Sequence, residues 1–319
     1  MSRFASRLTR WLTPDAALQA EPETAAQAEA RIRRDVRAIE ITARTAIRER
    51  MAGEFTSAFR GRGLEFSSIR AYTPGDEVRL IDWNVTARRG APFVKEFVEE
   101  RERTLLLLID VSASLDFGTT GASLRRFAIK VARLLGFAAS ASNDRVGVIA
   151  FSDRTEYTLR PARGGAHMLR LLHDLLHLRP QGRGSNLIAA LEQAARTLRG
   201  GSIVAVISDF HGEAGATDWQ PAMRRLGIAH DLLALHVFDP AQAQLPSGGL
   251  LTLEDAESGR VVTVDPATSA EAFATVTAQQ AADLQQRLRA AGADYLALPS
   301  DQPPAPALAK LFRLRTLRR

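Results

Sequence analysis

The stretch that decides the fold is TLLLLIDVSAS, residues 104–114. Its first half is a continuous aliphatic run, which is typical of a strand buried on both faces of a parallel sheet. The run ends at Asp110, and Ser112 and Ser114 follow it in a D-x-S-x-S pattern. One carboxylate and two hydroxyls at a strand end offer hard oxygen ligands to a small divalent cation. The same residue types also cap helices, so the pattern by itself does not identify a metal site.

Segments of two kinds alternate around and beyond this strand. Apolar runs of strand length are separated by longer segments with apolar residues at helical spacing. The predicted strands are 104–110, 145–151, 155–159, 202–208, 231–237 and 295–298, and the predicted helices are 124–141, 167–178, 187–198, 221–226 and 269–291. This order predicts an α/β fold with an open, doubly wound, mostly parallel sheet that helices cover on both faces. We assign residues 101–319 to this domain.

Two additions to the α/β domain are predicted. Residues 250–264 contain two short strands around Glu257-Ser258-Gly259, which indicates an inserted hairpin. A basic helical tail is expected from Ala305 to the last residue.

The residues before the α/β domain divide into two parts. Residues 1–22 are expected to form a flexible basic tail, with a short amphipathic helix as the alternative because Phe4, Leu8 and Trp11 recur at helical spacing. Residues 23–100 begin with a predicted amphipathic helix, 23–51, and continue as a module rich in glycine, proline and short strands.

Composition limits the function classes. The 319 residues include no cysteine, which excludes disulfides, thiolate metal sites and thiol catalysis. The net charge of +6 allows a nucleic-acid-binding alternative, but no basic motif interleaved with aromatic residues supports it. The N-terminus lacks the apolar stretch of a signal peptide, and no segment approaches the roughly 20 apolar residues of a membrane span. We therefore expect a cytoplasmic protein.

Two further segments fall where the carboxyl ends of strands are expected. Asp209 directly follows the predicted strand 202–208, and Ser185 lies in the glycine-rich loop Gly182-Arg183-Gly184 before a helix. Ligands of such sheets bind at the carboxyl ends of the strands. The combined candidate ligands are Asp110, Ser112, Ser114, Ser185 and Asp209. An all-oxygen set of this kind favours Mg²⁺ or Mn²⁺.

This pattern resembles the metal-ion-dependent adhesion site of von Willebrand factor A domains. Asp110, Ser112 and Ser114 match the first motif of that site, and Asp209 matches the aspartate that ends a central strand. Ser185 stands where the family usually has threonine, which keeps the oxygen and loses a methyl group. The resemblance implies a von Willebrand factor A-like fold and metal-bridged binding of a protein partner's acidic residue.

A narrower resemblance covers residues 60–88. The segments RGRGLEF (60–66), RAYTPGD (70–76), RLIDW (79–83) and TAR (86–88) are similar to the signature of a bacterial family catalogued as domain of unknown function fifty-eight. Members of that family often accompany MoxR-type AAA+ ATPases, so the resemblance implies such an ATPase, or its client, as the partner.

The expected function is that of a non-enzymatic adaptor. A metal-dependent hydrolase that uses the same aspartates is the alternative, but no general acid or phosphate-binding lysine is evident near either strand end. His173 and His177 are one helical turn apart, yet they lack the adjacent glutamate of zinc proteases. We interpret them as surface positions of a helix.

Overall fold

The computed structural model describes residues 8–11, 65–98, 103–119, 121–211 and 218–317. The predicted helix 23–51 lies outside the described residues, as do residues 60–64 of the signature. The strands are β1 (Leu8–Trp11), β2 (Glu65–Ala71), β3 (Phe93–Val98), β4 (Thr104–Asp110), β5 (Arg145–Phe151), β6 (Thr155–Ala162), β7 (Ile203–Ser208), β8 (Asp231–Phe238), β9 (Leu251–Asp255), β10 (Val261–Val264) and β11 (Asp294–Pro299). The α-helices are α1 (Trp83–Arg89), α2 (Leu124–Ala141), α3 (Gly165–His177), α4 (Leu187–Thr197), α5 (Gln220–Ala229), α6 (Pro266–Ala290) and α7 (Pro304–Leu317).

A six-stranded sheet in the order β11-β8-β7-β4-β5-β6 forms the centre of the fold. The first five strands in this order are parallel, and β6 runs antiparallel to β5 at the edge. The predicted mostly parallel α/β sheet is therefore confirmed. The strand predicted at 155–159 extends to Ala162 and reverses direction. Only three residues separate β5 from β6, and a parallel crossover needs a dozen or more.

Helices cover both faces of this sheet. Leu105, Leu107 and Ile109 of β4 belong to one buried cluster with α2, α3 and α7. Leu106 and Leu108 point to the opposite face and pack with α4, α5 and the end of α6. All five side chains are fully buried, and each such burial contributes about 2 kcal/mol. The aliphatic run thus supplies the core on both sides and fixes β4 at the centre.

A second sheet joins the predicted hairpin to the N-terminal residues. The strands β9 and β10 pair antiparallel, as predicted for residues 250–264. On its other side β9 pairs with β1, so Leu8–Trp11 form a strand where we expected a flexible tail or a helix. The physical reason is that β9 would otherwise expose a row of unpaired backbone N–H and C=O groups.

The predicted basic C-terminal tail is helix α7, and it belongs to the core. Leu308 and Phe312 are fully buried against the sheet. Arg315 is also buried, and its guanidinium forms ion pairs with Asp231 at the start of β8 and Asp294 at the start of β11. The helix is therefore held by apolar burial and by charge at the amino ends of two strands.

Candidate metal-binding site

The two aspartates of the candidate site lie at the carboxyl ends of adjacent strands. β4 and β7 pair in parallel with Ile109 opposite Ile207, so Asp110 and Asp209 come to the same edge of the sheet. Asp110, Ser112, Ser114 and Asp209 are all buried. The continuous apolar strands thus place two carboxylates and two hydroxyls out of contact with water.

Asp110 accepts hydrogen bonds from three segments. Its Oδ1 accepts from the backbone N–H of Ser112 at 2.9 Å. Its Oδ2 accepts from the hydroxyl of Ser185 at 2.9 Å and from that of Ser208 at 2.7 Å. The structure therefore brings the predicted residue Ser185 into direct contact with Asp110.

The remaining predicted residues surround this carboxylate. The hydroxyl oxygens of Ser112 and Ser114 lie 3.1 Å apart. The Asp209 Oδ1 accepts from the backbone N–H of His211 at 3.0 Å, while its buried Oδ2 receives no hydrogen bond from the described residues. That Oδ2 lies 3.4 Å from Nδ1 of His211, so the imidazole borders the site.

The turn that carries Asp209 has an uncommon backbone. Phe210 has a φ of 54°, in the left-handed region that side chains other than glycine rarely adopt. The hydroxyl of Ser208 accepts from the N–H of Phe210 at 2.8 Å, which compensates part of this cost. The turn aims Asp209 and His211 toward the same side.

The loop that carries Ser185 is fixed by Glu156 of β6. The Oε1 of Glu156 accepts from the N–H groups of Gly182 at 2.7 Å and Gln181 at 3.1 Å, and from the hydroxyl of Ser152 at 2.6 Å. Glycine at position 182 allows this close approach, because a Cβ there would lie 2.2 Å from Oγ of Ser152 and would force that side chain to shift. The N–H of Ala113 also donates to the carbonyl of Arg183 at 2.9 Å. The loop is thus tied directly to the D-x-S-x-S turn.

The electrostatics of the pair are unequal. Burial, followed by the negative charge of Asp209, raises the pKa of Asp110 to about 6. Burial raises the pKa of Asp209, but the charge and the backbone N–H of His211 act in the opposite direction and outweigh it, so this pKa lies below its ordinary value. Two buried carboxylates at one edge of the sheet repel each other, and a bound cation would stabilise both of them.

The donor set fits Mg²⁺ or Mn²⁺. A hydroxyl that donates its hydrogen to Asp110 keeps lone pairs that can face a cation. The buried Oδ2 of Asp209 has no hydrogen-bond donor among the described residues, so it is available to a cation. Over the same part of the chain no cluster of three or more histidine or acidic side chains is found. A metal here would depend on two carboxylates and on hydroxyls, with water completing its shell.

Three residues of this edge were missed by the sequence reasoning: Ser208, Glu156 and His211. Ser208 had a readable signal, since Asp110 follows Leu108 by two residues and Ser208 follows Val206 by two. Leu108 and Val206 share one face of adjacent strands, so Asp110 and Ser208 share it too. Glu156 and His211 carried no such signal, because their positions depend on the direction of β6 and on the turn at Phe210.

Other residues singled out in the sequence have structural positions. His173 and His177 are exposed on α3 with ring centroids 4.2 Å apart, as expected for surface positions. In the signature, Asp76 forms a two-bond ion pair with Arg70, both bonds 2.7 Å. Asp82 caps α1 by accepting from the N–H groups of Asn84 and Val85.

Comparison with protein families and curated proteins finds relatives of unknown function. Residues 68–283 match the family described as "Protein of unknown function DUF58". An uncharacterized protein of Mycobacterium tuberculosis is 34% identical over 273 residues, which cover 84% of each chain.

Solved structures with similarity to the chain are more distant. One is titled an aerotolerance-related membrane protein from Bacteroides fragilis, with 18% identity, a TM-score of 0.48 and coverage of 68% of this chain and 100% of that one. Another is titled an uncharacterized membrane spanning protein from Vibrio fischeri, with 15% identity, a TM-score of 0.24 and coverage of 67% and 97%.

The two neighbours just named are titled as membrane proteins, and those titles describe those proteins alone; we withdraw the expectation of a cytoplasmic protein. The expectation rested on the lack of an apolar segment, which does not decide where a chain works, because proteins also attach to membranes without spanning them. Within the described ranges, no helix combines the length and apolar character needed to cross a bilayer.

Proposed function

This bacterial-type chain belongs to the family described as "Protein of unknown function DUF58", and we propose that it is a non-enzymatic adaptor that binds a protein partner through a divalent metal. Mg²⁺ or Mn²⁺ would be held by Asp110, Ser112, Ser114, Ser185 and Asp209. The observation that carries the proposal is the buried pair of carboxylates at the ends of β4 and β7, one of which keeps an oxygen without a hydrogen-bond donor among the described residues.

The chemistry of the ligands supports recognition of an acid. A cation bound by two carboxylates and by hydroxyls has water in its remaining positions, and that water can exchange. A partner's aspartate or glutamate can take one of those positions, which makes the metal a bridge between two proteins. The chain's own residues would bind and orient the cation, and the metal would supply Lewis acidity toward the partner's carboxylate.

The finer parts of the proposal rest on resemblance. We propose that the α/β region is a von Willebrand factor A-like domain, which the order of the D-x-S-x-S motif, Ser185 and Asp209 supports. We also propose a MoxR-type AAA+ ATPase or its client as the partner, in assembly or activation of protein complexes. The family signature between residues 60 and 88 supports this partner class.

The test compares the wild-type chain with Asp110→Asn, which keeps the side-chain shape and removes the charge. We expect the wild type to bind Mg²⁺ in calorimetry and to capture the purified MoxR-type ATPase in Mg²⁺ but not in EDTA. Asp110→Asn should lose both, since a ligand carboxylate is removed. Glu192→Gln removes an exposed charge of α4 and serves as the matched control.

Two outcomes would overturn the proposal. Capture that persists in EDTA and in Asp110→Asn would show that the metal plays no part in it. Metal-dependent hydrolysis of a phosphoester, lost in Asp110→Asn, would instead identify the hydrolase.

A further inference from the structure

Arg183 lies on the rim of the candidate metal site. It is an exposed residue of the loop between α3 and α4, two positions before Ser185. Its carbonyl accepts the N–H of Ala113 at 2.9 Å, so its backbone is fixed against the D-x-S-x-S turn. The base of this side chain is therefore held beside the metal ligands.

The guanidinium of Arg183 has a neutral anchor. Its Nη2 donates to the carbonyl of Ala256 at 2.8 Å. That carbonyl lies in the β9–β10 turn, where the buried Asp255 accepts from the N–H groups of Glu257 and Ser258. A carbonyl orients the guanidinium but does not cancel its charge, and the described residues occupy one of its five N–H donors.

Two acidic residues that follow neighbouring strands are each paired with an arginine other than Arg183. Asp116, after β4, is paired with Arg125, and Asp153, after β5, is paired with Arg154. Arg183 forms no ion pair with any residue in the described ranges. Its guanidinium is thus held by a neutral carbonyl and has no ion-pair partner among the described residues.

The formal charges of the metal and its two carboxylates suggest a role for Arg183. A divalent metal bound by Asp110 and Asp209 carries a formal charge of zero with its two carboxylates, so the metal alone attracts an acidic partner weakly. We propose that Arg183 binds a second carboxylate of the partner, next to the one that reaches the metal. The partner segment then carries two neighbouring acidic residues. The inference rests on the proposed function, and it names the chemistry of the segment recognised.

The experiment measures binding of labelled peptides to the full chain by fluorescence anisotropy in Mg²⁺. One peptide is Gly-Ser-Glu-Glu-Ser-Gly, and the other has a single Glu at its centre with the second replaced by Ser. We expect the two-Glu peptide to bind the wild type more tightly, and Arg183→Ala to weaken it about fivefold, the range of a charge-assisted contact that is partly exposed to water. The single-Glu peptide should lose less than twofold in the same variant.

The control is Arg196→Ala. It removes the same charge from an exposed position in the last turn of α4, at the opposite end of the sheet. We expect this variant to leave both peptide affinities and Mg²⁺ binding unchanged. Mg²⁺ titration without peptide should give the same affinity in wild type and Arg183→Ala, because Arg183 is not a ligand.

The outcomes separate the two proposals. Equal loss of peptide binding in Arg183→Ala and Arg196→Ala overturns the role of Arg183, as does a chain that binds Mg²⁺ but neither peptide. Peptide binding that survives EDTA yet falls in Arg183→Ala supports Arg183 and overturns the metal bridge.

Discussion

Ser208 illustrates how much of the candidate site depends on single side chains. Its hydroxyl donates to Asp110 and accepts from the N–H of Phe210, so one oxygen links a buried carboxylate to the strained turn beside it. The sequence predicted Asp110 and Asp209 because charged residues end two apolar runs. Serine is common at strand ends. Ser208 stands out only when one works out which residues of adjacent strands share a face of the sheet.

His236 predicts a pH dependence of stability. It is buried on β8, its Nδ1 is 2.9 Å from the hydroxyl of Tyr295, and Phe210 and Phe238 flank its ring. Burial lowers the pKa of His236 from 6.5 to about 4. Between these values the unfolded chain binds a proton that the folded chain does not, so the free energy of unfolding should rise with pH in this window.

The measurement compares urea unfolding of the wild type and His236→Gln from pH 4 to 7.5. We expect the wild type to lose up to about 3 kcal/mol more than the variant as the pH falls from 6.5 to 4. Asp110 and Asp144, whose pKa values are raised to about 6, act in the opposite direction and are common to both proteins. Parallel curves for the two proteins would contradict the assignment.

At the scale of elements, the loop before α4 depends on β6. Glu156 fixes Gly182 and Gln181, and through them the loop that brings Ser185 to Asp110. We expect Glu156→Ala to weaken Mg²⁺ binding about tenfold, the scale of residues that orient metal ligands. The fold should survive, since Glu156 is only partly buried and lies on the edge strand β6.

Calorimetry with Mg²⁺ and far-ultraviolet circular dichroism test this prediction. Glu156→Gln keeps an acceptor oxygen and should fall between wild type and Glu156→Ala. An affinity equal to that of the wild type in Glu156→Ala would show that the loop holds its position without β6.

The elements that the sequence predicted less well are those whose placement depends on pairing. Every strand and helix predicted from residue 104 onward is present with its ends shifted by three residues or fewer, as in α6, predicted at 269–291 and observed at Pro266–Ala290. Periodicity reports which face of a segment is buried. It does not report strand direction or partner, so the reversal of β6 and the pairing of β1 with β9 were not foreseen.

At the scale of the whole molecule, Arg315 joins the end of the chain to the sheet. Its guanidinium is buried, and the Asp231 and Asp294 side chains are 27% and 34% exposed. Replacing Arg315 by Met removes the buried cation that both carboxylates contact. We expect a loss of about 2–3 kcal/mol in the free energy of unfolding, below the range for fully buried pairs because water still reaches both acids.

Guanidinium unfolding of Arg315→Met measures this loss. Lys310→Met changes an exposed cation of the same helix, and we expect it to alter the stability by less than about 0.5 kcal/mol. Equal effects of the two substitutions would mean that burial of α7 alone holds the C-terminus. The sequence predicted a basic helical tail here but not the burial of Arg315, because a single buried arginine cannot be distinguished by sequence from its exposed neighbours.

The aliphatic run of β4 does not by itself fix how this strand aligns with its neighbours. Because both faces of β4 are equally apolar, a slip by one residue would exchange Leu105, Leu107 and Ile109 with Leu106 and Leu108 at little cost in buried area. The same slip would carry Asp110 away from the hydroxyls of Ser185 and Ser208 and leave its buried Oδ2 without these two donors. The oxygen-rich edge therefore selects one alignment among several of similar hydrophobic energy, and it does so whether or not a cation is bound.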